Sequence, residues 1–294
     1  MSIVKSLAVG EGDMYYIEHG SSNFTIIDCC MAEDVRSEII DEVTAAARRK
    51  EITRFISTHP DNDHILGLRD LDSALGILNF YCVKNAATKP DKTDDFDKYC
   101  ALRDDTKKAF YIEKGCKRKW MNQDGDGRGS SGINILWPDV SNDHYETALE
   151  DAKQGKSPNN ISCIIKYSVQ DGVSMVWMGD LETPFMEKIE DNIDLPDIDI
   201  LFAPHHGRDT GKVPTSWMKA MSPKIVVLGE CPSDQLNYYA GYNTITQNSA
   251  GEITFNCSGS TVDIYVSNSG YSVSFLRNAG KSNTYGKYIG TLDV

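Results

Sequence analysis

The chain has 294 residues, of which 40% are hydrophobic and 25% are charged, and its formal net charge is −13. This composition is typical of a globular protein and excludes a collagen-like or disordered chain. Its acidity also disfavours binding of duplex nucleic acid through a broad basic face. No apolar run approaches the ~20 residues that a membrane helix needs, and no signal peptide is recognisable at the N-terminus. We therefore expect a cytoplasmic protein without a membrane partner.

The first third of the chain predicts short strands followed by helix–strand units. Strands are predicted at 2–9, 14–19 and 23–28, between glycine-rich turns. A helix is predicted over 34–50, where apolar residues recur at spacings of three and four. A buried strand at 52–58, a polar loop at 59–64, a helix at 65–75 and a strand at 78–84 follow. Residues 85–132 are polar and predict a helix with loops, inserted in the domain.

The rest of the chain repeats this alternation. Strands are predicted at 133–138, 161–169, 174–180, 198–204 and 224–230, and helices at about 143–154, 183–193 and 213–222. Three further β-rich runs predict a terminal antiparallel meander over about 250–277. The alternation predicts an α/β fold in which two sheets are flanked by helices, within a single domain spanning 1–294. Eight cysteines without a C-x-x-C pair predict free thiols in a reducing compartment.

The loop HPDNDH, which follows the strand at 52–58, predicts a metal site. It places His59, Asp61, Asp63 and His64 within six residues. Imidazole nitrogen and carboxylate oxygen suit zinc, manganese or iron, and two neighbouring aspartates repel each other unless a cation lies between them. The alternative is a helix cap at Asp63, with His64 incidental; a cap needs one such residue and not four.

Two later strands also end in metal-ligand residue types. Asp180 belongs to MGD at 178–180, which ends one strand, and His205 and His206 belong to APHHG at 203–207, which ends another. Adjacent side chains on extended backbone point in opposite directions, so one histidine can bind a metal while the other faces substrate. Taken alone, Asp180 is a weak signal, because aspartate after a strand is common in turns.

A basic run beside a tryptophan is the one local exception to the acidic composition. It contains Lys117, Arg118 and Trp120 within KGCKRKW. A cation next to an aromatic ring suits a single-stranded nucleic acid, and these three residues are candidate substrate contacts. The alternative is a solvated basic loop.

Together these segments resemble the metallo-β-lactamase-fold hydrolases, in particular the nuclease-type domain of the competence protein ComEC and its free-standing relatives. HPDNDH resembles the H-x-[HD]-x-D-H signature of that family. VGEGDM at 9–14, TIIDCC at 25–30, NNIS at 159–162, MGDLE at 178–182 and APHHG at 203–207 resemble further family segments, in the same order. The resemblance implies an αββα sandwich of two mixed β-sheets flanked by helices.

The resemblance also implies one or two divalent metal ions, zinc or manganese. His59 and Asp61 would hold the first ion. Asp63 and His64 would hold the second ion, with His205 or His206, and Asp180 would bridge the two. Where many relatives supply another histidine to the first ion, this chain has Asn160 and Ser162, which are candidate substrate contacts. The first site is therefore oxygen-rich, which favours a harder ion such as manganese.

The function that follows is hydrolysis by a metal-activated hydroxide. We expect a phosphodiesterase or nuclease acting on single-stranded nucleic acid or nucleotides, with Asp63, His205 and His206 as the catalytic residues. One alternative is a small-molecule hydrolase acting on an ester, thioester, lactone or lactam. Another is a catalytically degenerate binding protein. The sequence leaves the oligomeric state open, a homodimer included.

Overall fold

The computed structural model describes residues 1–294. Sixteen strands run through the chain, most of them three to seven residues long. In chain order they are β1 (Ser2–Ser6), β2 (Tyr15–Glu18), β3 (Asn23–Ile27), β4 (Cys29–Cys30), β5 (Ile52–Ile56), β6 (Phe80–Cys82), β7 (Ala109–Tyr111), β8 (Ile133–Trp137), β9 (Ile164–Ser168), β10 (Ser174–Trp177), β11 (Ile200–Phe202), β12 (Ile225–Leu228), β13 (Thr244–Thr246), β14 (Ile253–Ser258), β15 (Thr261–Val266) and β16 (Lys287–Asp293).

Apart from β4, which bridges to Ile65 and Leu66, the strands form two mixed sheets. The larger sheet has nine strands in the order β16-β15-β14-β1-β2-β3-β5-β6-β7, and the smaller has six in the order β13-β12-β11-β10-β9-β8. In the larger sheet, β3, β5, β6 and β7 are parallel, and the remaining pairs are antiparallel. In the smaller sheet, β10 to β13 are parallel, whereas β8, β9 and β10 pair antiparallel.

Eight α-helices lie around the sheets. They are α1 (Arg36–Ala47), α2 (Asn62–Ile65), α3 (Leu68–Leu75), α4 (Asp94–Asp104), α5 (Asp143–Lys153), α6 (Thr183–Lys188), α7 (Thr215–Met221) and α8 (Gln247–Ala250). Helices α1, α3 and α4 pack on the outer face of the larger sheet, and α5, α6 and α7 pack on the smaller sheet. The αββα sandwich expected from the sequence is therefore confirmed. None of the helices combines the length and the apolarity that crossing a bilayer requires.

Alternation along the strands divides the apolar side chains between two cores. Tyr15 and Ile17 of β2 face the core that the two sheets share, whereas Tyr16 between them faces the core under α1, α3 and α4. Successive side chains of a strand point to opposite faces, so a sheet covered on both faces is apolar throughout its length. This explains why β3, with the sequence NFTII, is buried at all five positions.

Two details differ from the sequence expectation. The polar insertion contains the expected helix, α4, but also β7, which extends the larger sheet beside β6. The third strand of the terminal meander is β16, at Lys287–Asp293, and not 271–277. Residues 271–277 do alternate between half-buried and exposed positions up to Phe275. The edge of β15 is occupied by β16, and of this segment only Arg277 pairs with β16, through an isolated bridge to Thr291.

Candidate metal centre

The candidate site lies where the carboxyl ends of strands from both sheets come together. Asp28 follows β3 and His59 lies three residues beyond β5, both in the larger sheet. Asp180 lies three residues beyond β10, and His205 and His206 follow β11 closely, both in the smaller sheet. Neighbouring parallel strands present their carboxyl ends at one edge, which is where α/β proteins place functional groups. The sequence separation of these residues therefore does not prevent their meeting.

Four imidazoles surround the carboxylate of Asp180. The Nε2 atom of His64 lies 3.0 Å from Asp180 Oδ1. The Nε2 atoms of the other three histidines approach Asp180 Oδ2, at 3.9 Å for His59, 3.8 Å for His205 and 3.6 Å for His206. Asp180, His59, His64 and His206 are all buried, whereas His205 is partly exposed. Asp180 is thus the common neighbour of every histidine that the sequence places in the site.

Asp63 closes the solvent side of this cluster. Its Oδ2 atom lies 3.2 Å from His206 Nε2, and about a third of its side chain is exposed. The other ring nitrogen of His206, Nδ1, lies 3.1 Å from Asp13 Oδ1, which also accepts a hydrogen bond from the Tyr15 hydroxyl. Asp13 reaches this position because the loop between β1 and β2 docks on α2, where the Asp13 amide donates to the Asp63 carbonyl at 3.1 Å.

The donor set fits a divalent metal ion. One ligand atom from each of Asp13, His64, Asp180 and His206 lies within 4.8 Å of those of the others. His59 Nε2, His64 Nε2 and Asp180 Oδ1 are buried and have no hydrogen-bond partner, although the last two are only 3.0 Å apart. Buried polar atoms normally find a partner, and ligands bound at about 2.0–2.1 Å to one tetrahedral ion lie only ~3.3 Å apart. Atoms that converge without hydrogen-bond geometry are therefore suited to share a cation.

A buried carboxylate orients His64. Asp28 Oδ2 lies 2.9 Å from His64 Nδ1, and the same carboxylate accepts hydrogen bonds from the amide and the hydroxyl of Thr58, at 2.7 and 2.6 Å. A carboxylate bound to the far nitrogen of a ligand histidine fixes its tautomer and raises its basicity. Asp13 stands in the same relation to His206. Asp28 and Asp13 thus direct two Nε2 atoms toward Asp180.

Unusual backbone conformations hold several of these residues in place. Asp28, His205 and His206 have φ angles of 56°, 55° and 57°, in the left-handed region. Non-glycine residues rarely adopt it, and such strain collects at functional sites. Gly179 also has a positive φ, and a Cβ there would lie 2.7 Å from Ser162 Oγ and 2.9 Å from Thr58 Cβ. The turn that presents Asp180 therefore requires glycine beside it.

The charges of the cluster determine its pKa values. Burial by itself would lower the pKa of His64 and His206, but the nearby carboxylates, Asp180 foremost, raise both, that of His206 to about 10. Burial would raise the pKa of Asp63, yet the hydrogen bond from His206 and the charge of His64 lower it to about 2. Burial and the charge of His64 lower the pKa of His59 to about 4. The carboxylates thus keep the imidazoles of His64 and His206 protonated. A metal ion that binds these imidazoles would displace a proton from each.

The remaining predicted ligand and the third-motif residues have other partners. Asp61 caps α2 and pairs with Lys89, whose Nζ atom lies 2.5 Å from Asp61 Oδ1. The side-chain amide of Asn160 donates to the Glu182 carboxylate and accepts from the Glu182 backbone amide, and Ser162 Oγ accepts from the Asp180 amide at 3.0 Å. Asn160 and Ser162 therefore fix the turn that carries Asp180.

The basic run lies elsewhere. The Trp120 carbonyl accepts a hydrogen bond from Arg54, which also bonds Asn23 at the amino end of β3. Arg118 lies over the Phe110 ring at 4.8 Å, on the edge strand β7, and Lys117 is exposed. The cluster around Asp180 lies beyond the opposite, carboxyl ends of β3 and β5. The structure therefore does not bring the basic run to the candidate metal centre.

Sequence reasoning missed three residues of this region, Asp13, Asp28 and Lys89. Two of them carry a usable signal: Asp28 ends an apolar strand, as Asp180 does, and Asp13 lies in a turn that resembles a family segment. Lys89 lies in the polar insertion, where no periodicity marks it. Its place beside Asp61 depends on how the insertion folds back over α2.

The comparisons with known proteins agree with this geometry. The family model described as the metallo-beta-lactamase superfamily matches residues 7–154, half of the chain. The match contains Asp13, Asp28 and the loop from His59 to His64. None of the curated proteins matches the chain. Most members of this superfamily are metal-dependent hydrolases, and the chain has a candidate metal site formed by two aspartates and two histidines. The chain belongs to the metallo-beta-lactamase superfamily.

Proposed function

We propose that this protein is a metal-dependent phosphodiesterase of the ComEC-like subgroup, acting on nucleotides or short single-stranded nucleic acid. The observation that carries the proposal is the convergence of four imidazoles on the buried carboxylate of Asp180, with Asp63 in contact with one of them, His206. Asp63, His64, Asp180 and His206 would hold the ion, zinc or manganese. When bound, such an ion lowers the pKa of water and neutralises charge that develops on the ester oxygens.

His205 is the residue best placed to move a proton. It is the one partly exposed imidazole of the four, with 14% of its side chain accessible. The Thr210 hydroxyl holds its Nδ1 atom at 2.9 Å, which directs Nε2 toward Asp180. Burial lowers the pKa of His205, so its imidazole is neutral at neutral pH and can accept a proton and pass it to a leaving oxygen.

A cavity beside the candidate metal centre supports a nucleotide-sized substrate. Its volume is about 440 Å³, and its aromatic lining comprises Tyr238, Tyr239 and Tyr242. These residues belong to the segment between β12 and β13, and the lining also includes Asp209 and Lys212, which follow His205 and His206 closely in the chain. Asn237, on its rim, donates its amide hydrogen to the Gly207 carbonyl at 2.8 Å. Aromatic rings at this position suit the stacking of a base.

The charge of the chain limits the length of the substrate. With a net charge of −13 and its basic run outside the site, the protein is poorly suited to bind a long polyanion. A nucleotide or a short single strand needs only the local positive charge of the metal centre.

A small-molecule hydrolase is the second candidate function. Val213, Met218 and Leu236 supply an apolar lining to the same cavity, and apolar cavities of this size are common in enzymes that bind small molecules. An ester, thioester, lactone or lactam with an apolar group would fit this description.

A substrate panel tests the proposal against this alternative. Protein supplied with Mn²⁺ or Zn²⁺ is assayed with bis-p-nitrophenyl phosphate, labelled single-stranded DNA, a thioester and nitrocefin. We expect chelator-sensitive cleavage of the phosphodiesters, its loss in Asp63→Asn, and wild-type rates in the control Asp139→Asn, an exposed carboxylate bonded to Ser141. Hydrolysis of the thioester or of nitrocefin, without cleavage of either phosphodiester, would contradict the proposal and favour a small-molecule hydrolase.

A further inference from the structure

Asp61 is paired with a lysine in this protein. Its Oδ1 atom accepts from Lys89 Nζ at 2.5 Å and from the Asn62 amide at 2.8 Å. Asp61 forms no ion pair with a histidine of the centre, whereas Asp63, the other aspartate of the same loop, lies 3.2 Å from His206 Nε2. The residue expected to bind a first metal ion is therefore already neutralised by a cation from the chain.

Lys89 is held firmly in this position. Only 14% of its side chain is exposed, its ammonium also donates to Asn62 Oδ1 at 3.1 Å, and it lies 5.8 Å from the centre of the Phe96 ring. An ammonium group largely withdrawn from water needs a nearby carboxylate, because an unpaired buried charge is strongly unfavourable. The Lys89–Asp61 ion pair is therefore a fixed part of the site and not a flexible surface contact.

The first half of the centre also lacks other ligands. Asn160 is bonded to Glu182, and Ser162 accepts from the Asp180 amide. Without Asp61, no carboxylate is left for a second ion except the shared one of Asp180, which His59 and the partly exposed His205 approach at 3.9 and 3.8 Å. The other side offers four protein ligands, Asp63, His64, Asp180 and His206, which is the number that a tetrahedral ion needs.

We propose that the centre binds a single divalent ion through Asp63, His64, Asp180 and His206, and that the Lys89 ammonium supplies the other positive charge in place of a second ion. A second ion on Asp61 would lie within a few ångströms of this ammonium, and two cations at that distance repel each other strongly. The polar insertion that contributes Lys89 therefore sets the number of metal ions.

Metal stoichiometry, measured without any substrate, tests this inference. Chelator-stripped protein is titrated with Mn²⁺ and with Zn²⁺ by calorimetry, and the metal retained after desalting is measured by elemental analysis. Wild type is compared with Lys89→Met, which keeps the length and removes the charge, and with Lys89→Arg, which keeps the charge. The control is Lys98→Met, which removes a lysine of the same insertion paired at 3.0 Å with Asp72.

We expect one ion per chain in wild type, Lys89→Arg and Lys98→Met, and a second ion in Lys89→Met. Circular dichroism verifies that each variant is folded. Two tightly bound ions in wild type would overturn the inference, and a folded Lys89→Met protein that still binds one ion would overturn the role of Lys89. One bound ion together with an absence of phosphodiester cleavage would instead count against the proposed function, so the two failures are distinguishable.

Discussion

His64 and Asp28 are 36 positions apart in the chain, yet their side chains meet at 2.9 Å between Nδ1 and Oδ2, and both are buried. The carboxylate accepts the proton of Nδ1, so the proton that a binding metal ion displaces is the one on Nε2, the nitrogen that faces Asp180. The end of β3 thus sets the tautomer of a histidine on α2. Asp28 is suited to act on the metal through His64 and not by direct contact.

Replacement of Asp28 by asparagine should weaken metal binding. The amide keeps the shape of the side chain, and asparagine tolerates the left-handed φ of 56° at this position. The negative charge that strengthens His64 as a ligand is lost, and loss of such a partner lowers metal affinity by about 10- to 100-fold. Competition with a chromophoric chelator measures the affinity. The matched control is Asp70→Asn, whose partner is Arg36 at the surface; equal affinities in all three proteins would contradict this role.

Metal binding should release protons. The pKa of His206 is raised to about 10 and that of His64 is also raised, so both are protonated near neutral pH before an ion enters. A ligand imidazole must lose its proton, so affinity should increase with pH throughout the range below these pKa values, by up to about tenfold per pH unit for each proton displaced. Calorimetry in two buffers of different ionisation enthalpy counts the protons. Binding heats that are independent of the buffer would exclude this linkage.

The sequence predicts the histidines that surround Asp180 better than it predicts the carboxylates that orient those histidines. His59, His64, Asp180 and His206 all follow predicted strands, and strands of one sheet bring their ends to a common edge. Which carboxylate meets which imidazole depends on loop packing. The contact between Asp13 and His206 requires that the β1–β2 loop dock on α2, and no local pattern encodes that docking.

The polar insertion was the hardest part of the fold to predict. Its strand β7 has only three residues, half-buried or exposed, so apolar periodicity is too short to indicate it. Its pairing with β6 is what makes it a strand. The same insertion places Lys89 beside Asp61 through a tertiary contact, which is why the sequence predicts Asp61 as a ligand and the structure pairs it with a lysine.

His19 should make stability depend on pH independently of the metal centre. It is buried at 2% exposure after β2, with Nε2 at 2.8 Å from the Thr25 hydroxyl. Burial, with the charges of Arg54 and Lys50, holds its pKa well below the ordinary value. Below the unfolded pKa of about 6.5, the unfolded state therefore binds more protons than the folded state, and stability falls as the pH falls, by about 1.4 kcal/mol per pH unit.

Urea unfolding of the metal-free protein between about pH 7.5 and about pH 5.5 measures this contribution. The raised pKa values of His64 and His206 make the folded state bind more protons, so these two groups lower the stability as the pH rises. His19→Gln must therefore be compared with wild type at each pH. We expect the stability of wild type to decline relative to the variant as the solution is acidified. A constant difference between the two proteins over this range would show that His19 is not the group that titrates.

Tyr238 should determine how well the enzyme uses substrates that carry a base. The residue is 52% exposed and lines the cavity beside the candidate metal centre. Stacking of a base on an aromatic side chain is worth about 1–3 kcal/mol, so Tyr238→Ala should lower kcat/KM for thymidine 5′-p-nitrophenyl phosphate by roughly tenfold or more. Methyl p-nitrophenyl phosphate has the same reacting group and no base, so its kcat/KM should change little, and Tyr238→Phe should preserve both values. An equal loss on the two substrates would indicate that Tyr238 supports the centre itself and that the base binds elsewhere.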